Sequence, residues 1–154
     1  MKITFRKSLR TLLTALLFCL TVCCVRVCAS TIQGEYPTQK GTILVTSDWT
    51  YRMIPTGHAA IVWDENHVIE AQTAGVMWGK NNWMSTRREV YGLKVKETTP
   101  AQDAAAAEWC KGQIGKSYNY NFLNKRTRDS FYCSQLVWAA FYDLFDIDLS
   151  DIGW

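Results

Sequence analysis

The sequence predicts an α+β fold in which a few antiparallel strands are followed by two helices. Short apolar runs bounded by glycine or by polar turn residues occupy the segment 41–96, and this pattern is typical of strands. After residue 99 the apolar residues recur at helical spacing. Because the strands come first and the helices afterwards, we expect a small antiparallel sheet or barrel packed against helices.

Four segments are predicted as strands: 41–46, 57–63, 67–71 and 89–96. Only the polar turn Asp64-Glu65-Asn66 separates the second strand from the third, which makes this pair the strongest hairpin candidate in the chain. The segments 47–56 and 72–84 are predicted as loops, because glycine, proline, asparagine and tryptophan interrupt any regular period there.

The first helix is predicted from its end signals. Thr99 is the expected N-cap, Pro100 occupies the first turn, and Gln102 completes a capping box. Gly115 is the expected stop. The segment 116–130 that follows is predicted as a loop or an irregular strand.

The second helix is predicted over residues 133–145, and its first residue is a cysteine. Its apolar stripe consists of Leu136, Val137, Ala140, Phe141 and Leu144. A thiol at a helix N-terminus faces unpaired backbone N–H groups and the positive end of the helix dipole, which favour the nucleophilic thiolate. Cys133 is therefore a candidate nucleophile. Two other interpretations stay open at this point: a buried core thiol, and a disulfide with Cys110.

His58 and Glu70 are the candidates to assist that cysteine. His58 opens an apolar strand and alternates with Ala60 and Val62, so its imidazole is expected to point inward, where it could accept the thiol proton. Glu70 follows on the next strand and should return across the hairpin to the neighbourhood of His58. A carboxylate in such an apolar strand needs a partner, and an imidazole would be one. The alternatives are a core histidine and a surface glutamate.

The first 29 residues read as a signal peptide. A basic stretch without acidic residues precedes the apolar run 11–25, and small residues at Val27 and Ala29 suit cleavage after Ala29. We therefore predict residues 1–29 as a signal and 30–154 as one domain, secreted or in the cell envelope. The run is short for a membrane anchor, and a lipoprotein signal at Cys23 or Cys24 is the weaker alternative.

Removal of the signal changes the charge of the chain. Five of the 17 Lys and Arg residues and none of the 14 Asp and Glu residues lie in 1–29, which leaves a net charge of −2 instead of +3. A net negative charge gives no electrostatic attraction to nucleic acid, so nucleic acid is not expected as a partner. Membrane contact is expected only through the N-terminal segment. Two cysteines, Cys110 and Cys133, remain. We expect no cofactor and no metal, because the predicted domain has no phosphate-binding glycine loop, Cys-x-x-Cys or His-x-x-x-His spacing.

Several motifs occur together in a recognisable order. They are Gly41-Thr42-Ile43-Leu44-Val45, Gly57-His58-Ala59-Ala60-Ile61-Val62, Val68-Ile69-Glu70-Ala71, Gly115-Lys116-Ser117-Tyr118-Asn119 and Tyr132-Cys133-Ser134-Gln135-Leu136-Val137. This order resembles the circularly permuted branch of the NlpC-type papain-like hydrolases, the YiiX-like amidase group, in which the histidine strand precedes the cysteine helix. Thr42 and Gln135 depart from acidic residues that are common in that group.

The resemblance implies a permuted papain-like fold with a cysteine nucleophile, a histidine base and a third polar residue. Carried over by position, these are Cys133, His58 and Glu70. The resulting hypothesis is an exported cysteine hydrolase that cleaves amide bonds in peptides or in cell-wall peptidoglycan. The alternatives are an acyl-directed thioesterase or acyltransferase of the same fold, and a non-catalytic secreted binding module with a Cys110–Cys133 disulfide. Candidate cleft walls are Trp49, Tyr51, Trp78, Trp83 and Tyr118.

Overall fold

A five-stranded antiparallel sheet carries most of the predicted site. The computed structural model describes residues 34–48 and 57–150. The predicted signal peptide 1–29 lies outside these residues, as do Trp49, Tyr51 and the last four residues of the chain. By its internal packing the chain divides after Glu35, and all the elements below belong to the second unit, Tyr36–Trp154.

The sheet is open and not a closed barrel. Its strands are β1 (Ile43–Thr46), β2 (His58–Val62), β3 (His67–Gln72), β4 (Gly75–Lys80) and β5 (Tyr91–Leu93). They lie in the order β4-β3-β2-β1-β5, and every neighbouring pair is antiparallel. Within the described residues β4 and β5 are thus its two edges, so the α+β fold class is confirmed and the barrel alternative is wrong.

The predicted hairpin of β2 and β3 is present. The Asp64 carboxylate accepts hydrogen bonds from the backbone N–H groups of Asn66 and His67, both at 2.8 Å, which fixes the turn. The backbone N–H of Trp63 donates to the carbonyl of His67 at 3.0 Å and closes the hairpin. This turn sets the register that pairs Ala60 with Glu70.

The predicted loop 72–84 is wrong over most of its length. It holds β4 and a short helix, α1 (Trp83–Thr86). Gly75 has a φ of +111° and lets the chain reverse between β3 and β4 in a tight turn. The strand is held by its pairing with β3, while its side chains from Met77 onward are not buried, so its sequence carries no clean alternation. The predicted strand 89–96 shortens to the three exposed residues of β5.

The two predicted helices are present as α2 (Pro100–Lys111) and α3 (Cys133–Phe145). α2 begins with the predicted capping box, in which the Thr99 backbone N–H donates to the Gln102 side chain at 2.9 Å. It ends at Lys111, before the predicted stop at Gly115. Between the helices, β6 (Ser117–Tyr118) and β7 (Ser130–Phe131) form a short parallel pair near the two ends of the segment predicted as a loop or an irregular strand.

The sheet buries both of its faces. One face packs against α2 and α3 in the larger core, which includes Ile61, Ile69, Ala107, Val137, Ala140 and Phe141. The other face forms a smaller core of Leu44, Ala60, Val62, Val68 and Trp83. Among the described helices none is long and apolar enough to cross a membrane. His58 is the first residue of β2, a strand that packs against α3.

Candidate active site

Cys133 is the first residue of α3, and only Tyr132 separates it from β7. Phe131 of β7 is fully buried and anchors the chain just before the turn. The thiol is partly buried, and the backbone N–H groups of Ala59 and Ser134 donate to it. The structure therefore places the predicted nucleophile at a helix start, with backbone donors that stabilise a thiolate.

His58 and Glu70 are brought together by the hairpin. The register pairs Ala60 with Glu70, so His58 and Glu70 lie diagonally on one face of the sheet. His58 Nε2 is 2.6 Å from Glu70 Oε2, and the two side chains are 12% and 6% exposed. This contact leaves Nδ1 as the ring nitrogen for the thiol. All three residues predicted from the sequence thus meet at one place.

The His58 imidazole is held in its protonated form. Burial acts against protonation, but hydrogen bonds to Cys133 and Glu70 and the charges of both outweigh it, and raise the pKa of His58 from 6.5 to about 9. The pKa of Cys133 shifts the other way. Burial would raise it, yet the hydrogen bond and charge of His58 and the two backbone donors lower it below 9.0. The geometry favours a thiolate–imidazolium pair.

Glu70 is ionised in spite of its burial. Burial raises the pKa of its carboxyl group, while the His58 hydrogen bond and charge outweigh that effect and lower it below 4.5. Gln72 Nε2 donates to the second oxygen, Oε1, at 2.8 Å. Gly79 on β4 provides the room for the carboxylate, because a Cβ at that position would lie 2.2 Å from Oε1. No role is predicted for Gln72 or Gly79 from the sequence, because both lie in the predicted loop 72–84.

Trp83 packs against the imidazole of His58. Its ring stacks on His58 with centroids 5.3 Å apart and an interplanar angle of 25°. The Arg87 guanidinium lies over the same indole, 5.1 Å from its centroid. The Trp83 backbone N–H donates to the Tyr36 hydroxyl at 3.1 Å, and that hydroxyl donates to the Asn81 side chain at 2.7 Å. Trp83 is 3% exposed, so this predicted cleft wall is a buried support of the imidazole.

The other predicted cleft walls lie elsewhere or outside the described residues. Trp78 makes edge contacts with Trp63 and His67, at the far end of the hairpin. Tyr118 makes edge contacts with Tyr120 and Phe122. Phe122 continues that row to Tyr132, beside Cys133, with centroids 5.4 Å apart. A row of aromatic side chains therefore runs from Tyr118 to the residue that precedes the thiol.

The second cysteine of the predicted domain is a free thiol, as is Cys133. Cys110 is fully buried in α2, and its S–H points to the carbonyl of Leu136 at 3.7 Å. Burial raises its pKa far above the ordinary value of a thiol. Of the two interpretations left open for Cys133, the disulfide is thus not the arrangement in the structure.

An apolar cavity of about 610 Å³ opens beside the thiol. It lies between β1, β5 and α3, and it reaches Tyr132 and Ser134 on either side of Cys133. Its apolar lining includes Ile43, Val45, Ala59, Leu93, Val137 and Trp138. Three lysines also line it: Lys94, Lys96 and Lys125. Glu97 is the one acidic side chain among the residues that line this cavity, so its lining combines apolar surface with charges of both signs.

Metal binding finds no support in the residues of the site. No group of three or more His, Cys, Asp or Glu side chains in the described ranges lies close enough to hold a metal ion. The hydrogen-bonding positions of His58 and Glu70 are occupied by each other and by neighbouring side chains. Their geometry suits proton transfer to and from the imidazole.

Comparison with known proteins gives three findings. A family described as "Permuted papain-like amidase enzyme, YaeF/YiiX, C92 family" matches residues 43–153. The uncharacterized protein YycO of Bacillus subtilis (strain 168) is 27% identical in an alignment of 120 residues that covers 74% of this chain and 47% of YycO. The chain therefore spans about half the length of that relative. A crystal structure described as metalloprotein yiiX from Escherichia coli O157:H7 is similar in fold, with a TM-score of 0.59 and 19% identity over 75% of this chain and 70% of its own.

Proposed function

Because the chain belongs to the C92 family of permuted papain-like amidases, we propose that it is a cysteine amidase that uses Cys133, His58 and Glu70. The family resemblance that the motifs predict is thereby confirmed. The observation that carries the proposal is the buried His58–Glu70 pair, with 2.6 Å between Nε2 and Oε2, whose imidazole also interacts with the Cys133 thiol. A nucleophile, a base and a group that orients the base are the parts that acyl transfer needs.

The proposed reaction begins with the thiolate of Cys133. It attacks the amide carbonyl, so that a C–S bond forms and the carbonyl electrons move to oxygen. The backbone N–H of Cys133 at the helix start is the first candidate donor to that oxyanion. When the intermediate collapses, the C–N bond breaks and His58 gives its proton to the leaving amine. Water, deprotonated by His58, then hydrolyses the thioester and frees the thiolate.

Glu70 has two tasks in this scheme. It orients the imidazole through the hydrogen bond to Nε2, so that Nδ1 faces the thiol. Its charge also stabilises the imidazolium that donates to the leaving amine. Burial supports both tasks, because it keeps water from competing for the carboxylate.

The proposed substrate is an amide in a peptide or in cell-wall peptidoglycan. In this proposal residues 1–29 direct export, and the enzyme acts outside the cytoplasm. The test compares the wild type with Cys133→Ala on purified cell walls and on peptides, with new amino groups as the readout. Cys110→Ala is the matched control, because it removes a buried thiol that lies outside the proposed site. We expect loss of amine release for Cys133→Ala only. Equal release by Cys133→Ala and wild type on every substrate would overturn the proposal.

Export has its own test. Envelope and cytoplasmic fractions of the producing cell are compared, and the N-terminus of the protein is read by mass spectrometry. The proposal expects a chain that begins at Ser30 outside the cytoplasm. A chain that starts at Met1 in the cytoplasmic fraction alone would contradict it.

The cavity beside the thiol favours a second candidate, hydrolysis or transfer of an acyl chain held in an amide or a thioester. Its walls are mainly aliphatic and aromatic, and it reaches the residues on both sides of Cys133. A series of acyl amides of increasing chain length separates the two candidates. If the cavity holds the chain, each added methylene should raise kcat/KM up to about fourfold until the cavity is full. A rate independent of chain length would contradict the acyl-chain candidate.

A further inference from the structure

Gln135 is a fully buried polar residue that the proposed chemistry does not use. It lies in the first turn of α3, two residues after Cys133, and it is 1% exposed. A buried carboxamide is costly unless its hydrogen-bonding groups all have partners. The partners of Gln135 therefore indicate why it is there.

Both ends of the carboxamide are used. Oε1 accepts hydrogen bonds from Asn119 Nδ2 at 2.8 Å and from the backbone N–H of Tyr132 at 3.1 Å. Nε2 donates to the carbonyls of Lys125 and Thr127 at 3.2 and 3.1 Å. A carboxylate could keep the two bonds that Oε1 accepts, but it could not donate to the two carbonyls. An apolar side chain would lose all four.

These bonds join two parts of the molecule. On one side is the loop 119–127, and on the other is Tyr132, the N-cap residue immediately before Cys133. Asn119 is 5% exposed and stiffens the loop, since its Nδ2 also donates to the carbonyl of Asn124 at 3.0 Å. Its backbone N–H donates to the carbonyl of Phe131 at 3.1 Å. The loop and the turn that carries the thiol are thus tied together on both sides of Tyr132.

The position of the thiol depends on that turn. Tyr132 has an extended backbone, with φ −90° and ψ 168°, and the bond from its N–H to Gln135 fixes this conformation at the helix start. Thiol ionisation relies on the His58 imidazole and on backbone N–H groups that reach the sulfur. A tilt of the first turn would weaken all of these contacts at once.

We propose that Gln135 is a positioning residue for Cys133, which holds the nucleophile turn against the loop 119–127 through one buried carboxamide. The inference rests on the proposed function, because it concerns the nucleophile named there. It goes further, since it makes the reactivity of the thiol depend on a loop with the exposed residues Tyr120 and Phe122.

The test measures thiol reactivity, so it needs no substrate. The full chain is treated with iodoacetamide between pH 5 and pH 10, and alkylation at Cys133 is followed by mass spectrometry of its peptide. Gln135→Met keeps the approximate size of the side chain and removes the four hydrogen bonds. We expect its alkylation near pH 6 to be about tenfold slower than in the wild type, with the pH profile displaced upward by about one unit.

A matched control separates positioning from general loss of stability. Phe141→Leu changes a fully buried side chain on the same helix, two turns beyond Cys133. It should lower the melting temperature and leave the alkylation profile unchanged. If Gln135→Met lowers the melting temperature but keeps the wild-type profile, Gln135 is only structural and the proposal is wrong.

A second variant decides the matter if Gln135→Met does not fold. Asn119→Ala removes one of the three hydrogen bonds between Gln135 and the loop, and leaves Gln135 bound to Tyr132 and to the carbonyls of Lys125 and Thr127. We expect a smaller displacement of the profile in the same direction, and an unchanged profile in the folded variant would overturn the proposal. Full activity of Cys133→Ala would instead refute the proposed function, and the alkylation profiles would still report on Gln135.

Discussion

The imidazole of His58 and the carboxylate of Glu70 meet at 2.6 Å across two strands whose register is set by a three-residue turn. Both side chains are largely buried, at 12% and 6% exposure, so the pair has little contact with water. A buried carboxylate is stable only with a partner, and a buried imidazolium has the same need. Each therefore makes the charged form of the other possible.

The first prediction concerns the pH dependence of kcat/KM. Activity needs the thiolate of Cys133, whose pKa lies below its ordinary value of 9.0, and the proton on His58, whose pKa is raised to about 9. We expect a bell-shaped profile whose basic limb has its midpoint near pH 9 and whose acid limb lies below it.

His58→Ala provides the control for this profile. In that variant burial still raises the pKa of Cys133, while the imidazole that lowers it is gone. Alkylation of Cys133 should then titrate at a higher pH than in the wild type. A thiol that still titrates at the wild-type position in His58→Ala would contradict the ion pair.

The second prediction concerns stability. The pKa of His58 is raised when the protein folds, so its contribution is complete below pH 6.5 and is lost as the pH rises through about 9. The pKa of Glu70 is lowered, so its contribution is complete above pH 4.5 and is lost as the pH falls through the folded value. Glu70→Gln should therefore destabilise the protein most between pH 4.5 and 6.5, by about 1–3 kcal/mol.

Thermal unfolding at a series of pH values checks this difference. The gap between wild type and Glu70→Gln should shrink as the pH is raised from 6.5 through about 9. Activity of the variant should fall by between roughly tenfold and 10⁴-fold, because an amide cannot stabilise the imidazolium. A gap that stays constant with pH would mean that the two groups do not interact as charges.

Much of this site could be predicted from the sequence because its parts are local. The turn Asp64-Glu65-Asn66 fixes the hairpin register, and the register alone brings Glu70 back to His58. The helix start at Cys133 is marked by the apolar stripe that follows it. These patterns do not predict that the start of α3 meets the start of β2, because that contact depends on packing across the core.

The third prediction concerns the two thiols. Cys133 is partly exposed and has a lowered pKa, while Cys110 is fully buried and has a raised one. In the native protein at pH 7, iodoacetamide should modify Cys133 at least about 10² times faster than Cys110. Peptide mass spectrometry without reduction gives both rates. An unreactive pair that appears only after reduction would favour the binding module with a disulfide.

The structural features that the sequence does not predict lie in exposed or irregular backbone. β4 is an edge strand whose side chains beyond Val76 are not buried. Its sequence therefore lacks the alternation of apolar and polar residues that would predict a strand. The Gln135 connection needs a loop that holds two carbonyls in place, and no local pattern marks such a loop. Trp83 was predicted as a cleft wall, whereas its burial against His58 follows from the helix α1 within the predicted loop.

The last prediction uses two glycines of the same sheet. A Cβ at Gly79 would lie 2.2 Å from Glu70 Oε1 and 2.8 Å from its Cδ, so Gly79→Ala must displace the carboxylate. A Cβ at Gly92 would lie 2.4 Å from the ring of Pro37, far from the carboxylate in the order of the strands. Both substitutions crowd the sheet, and both should lower the melting temperature.

Only Gly79→Ala should also change the chemistry. Displacement of Glu70 weakens its bond to His58, so the pKa of His58 should fall and the basic limb of the pH profile should move to lower pH. We expect kcat/KM to fall at least about tenfold, which is the effect of losing 1.4 kcal/mol of transition-state stabilisation. If Gly79→Ala and Gly92→Ala lose stability alike and keep the same pH profile, the carboxylate does not act on the imidazole, and Glu70 is not the third member of the site.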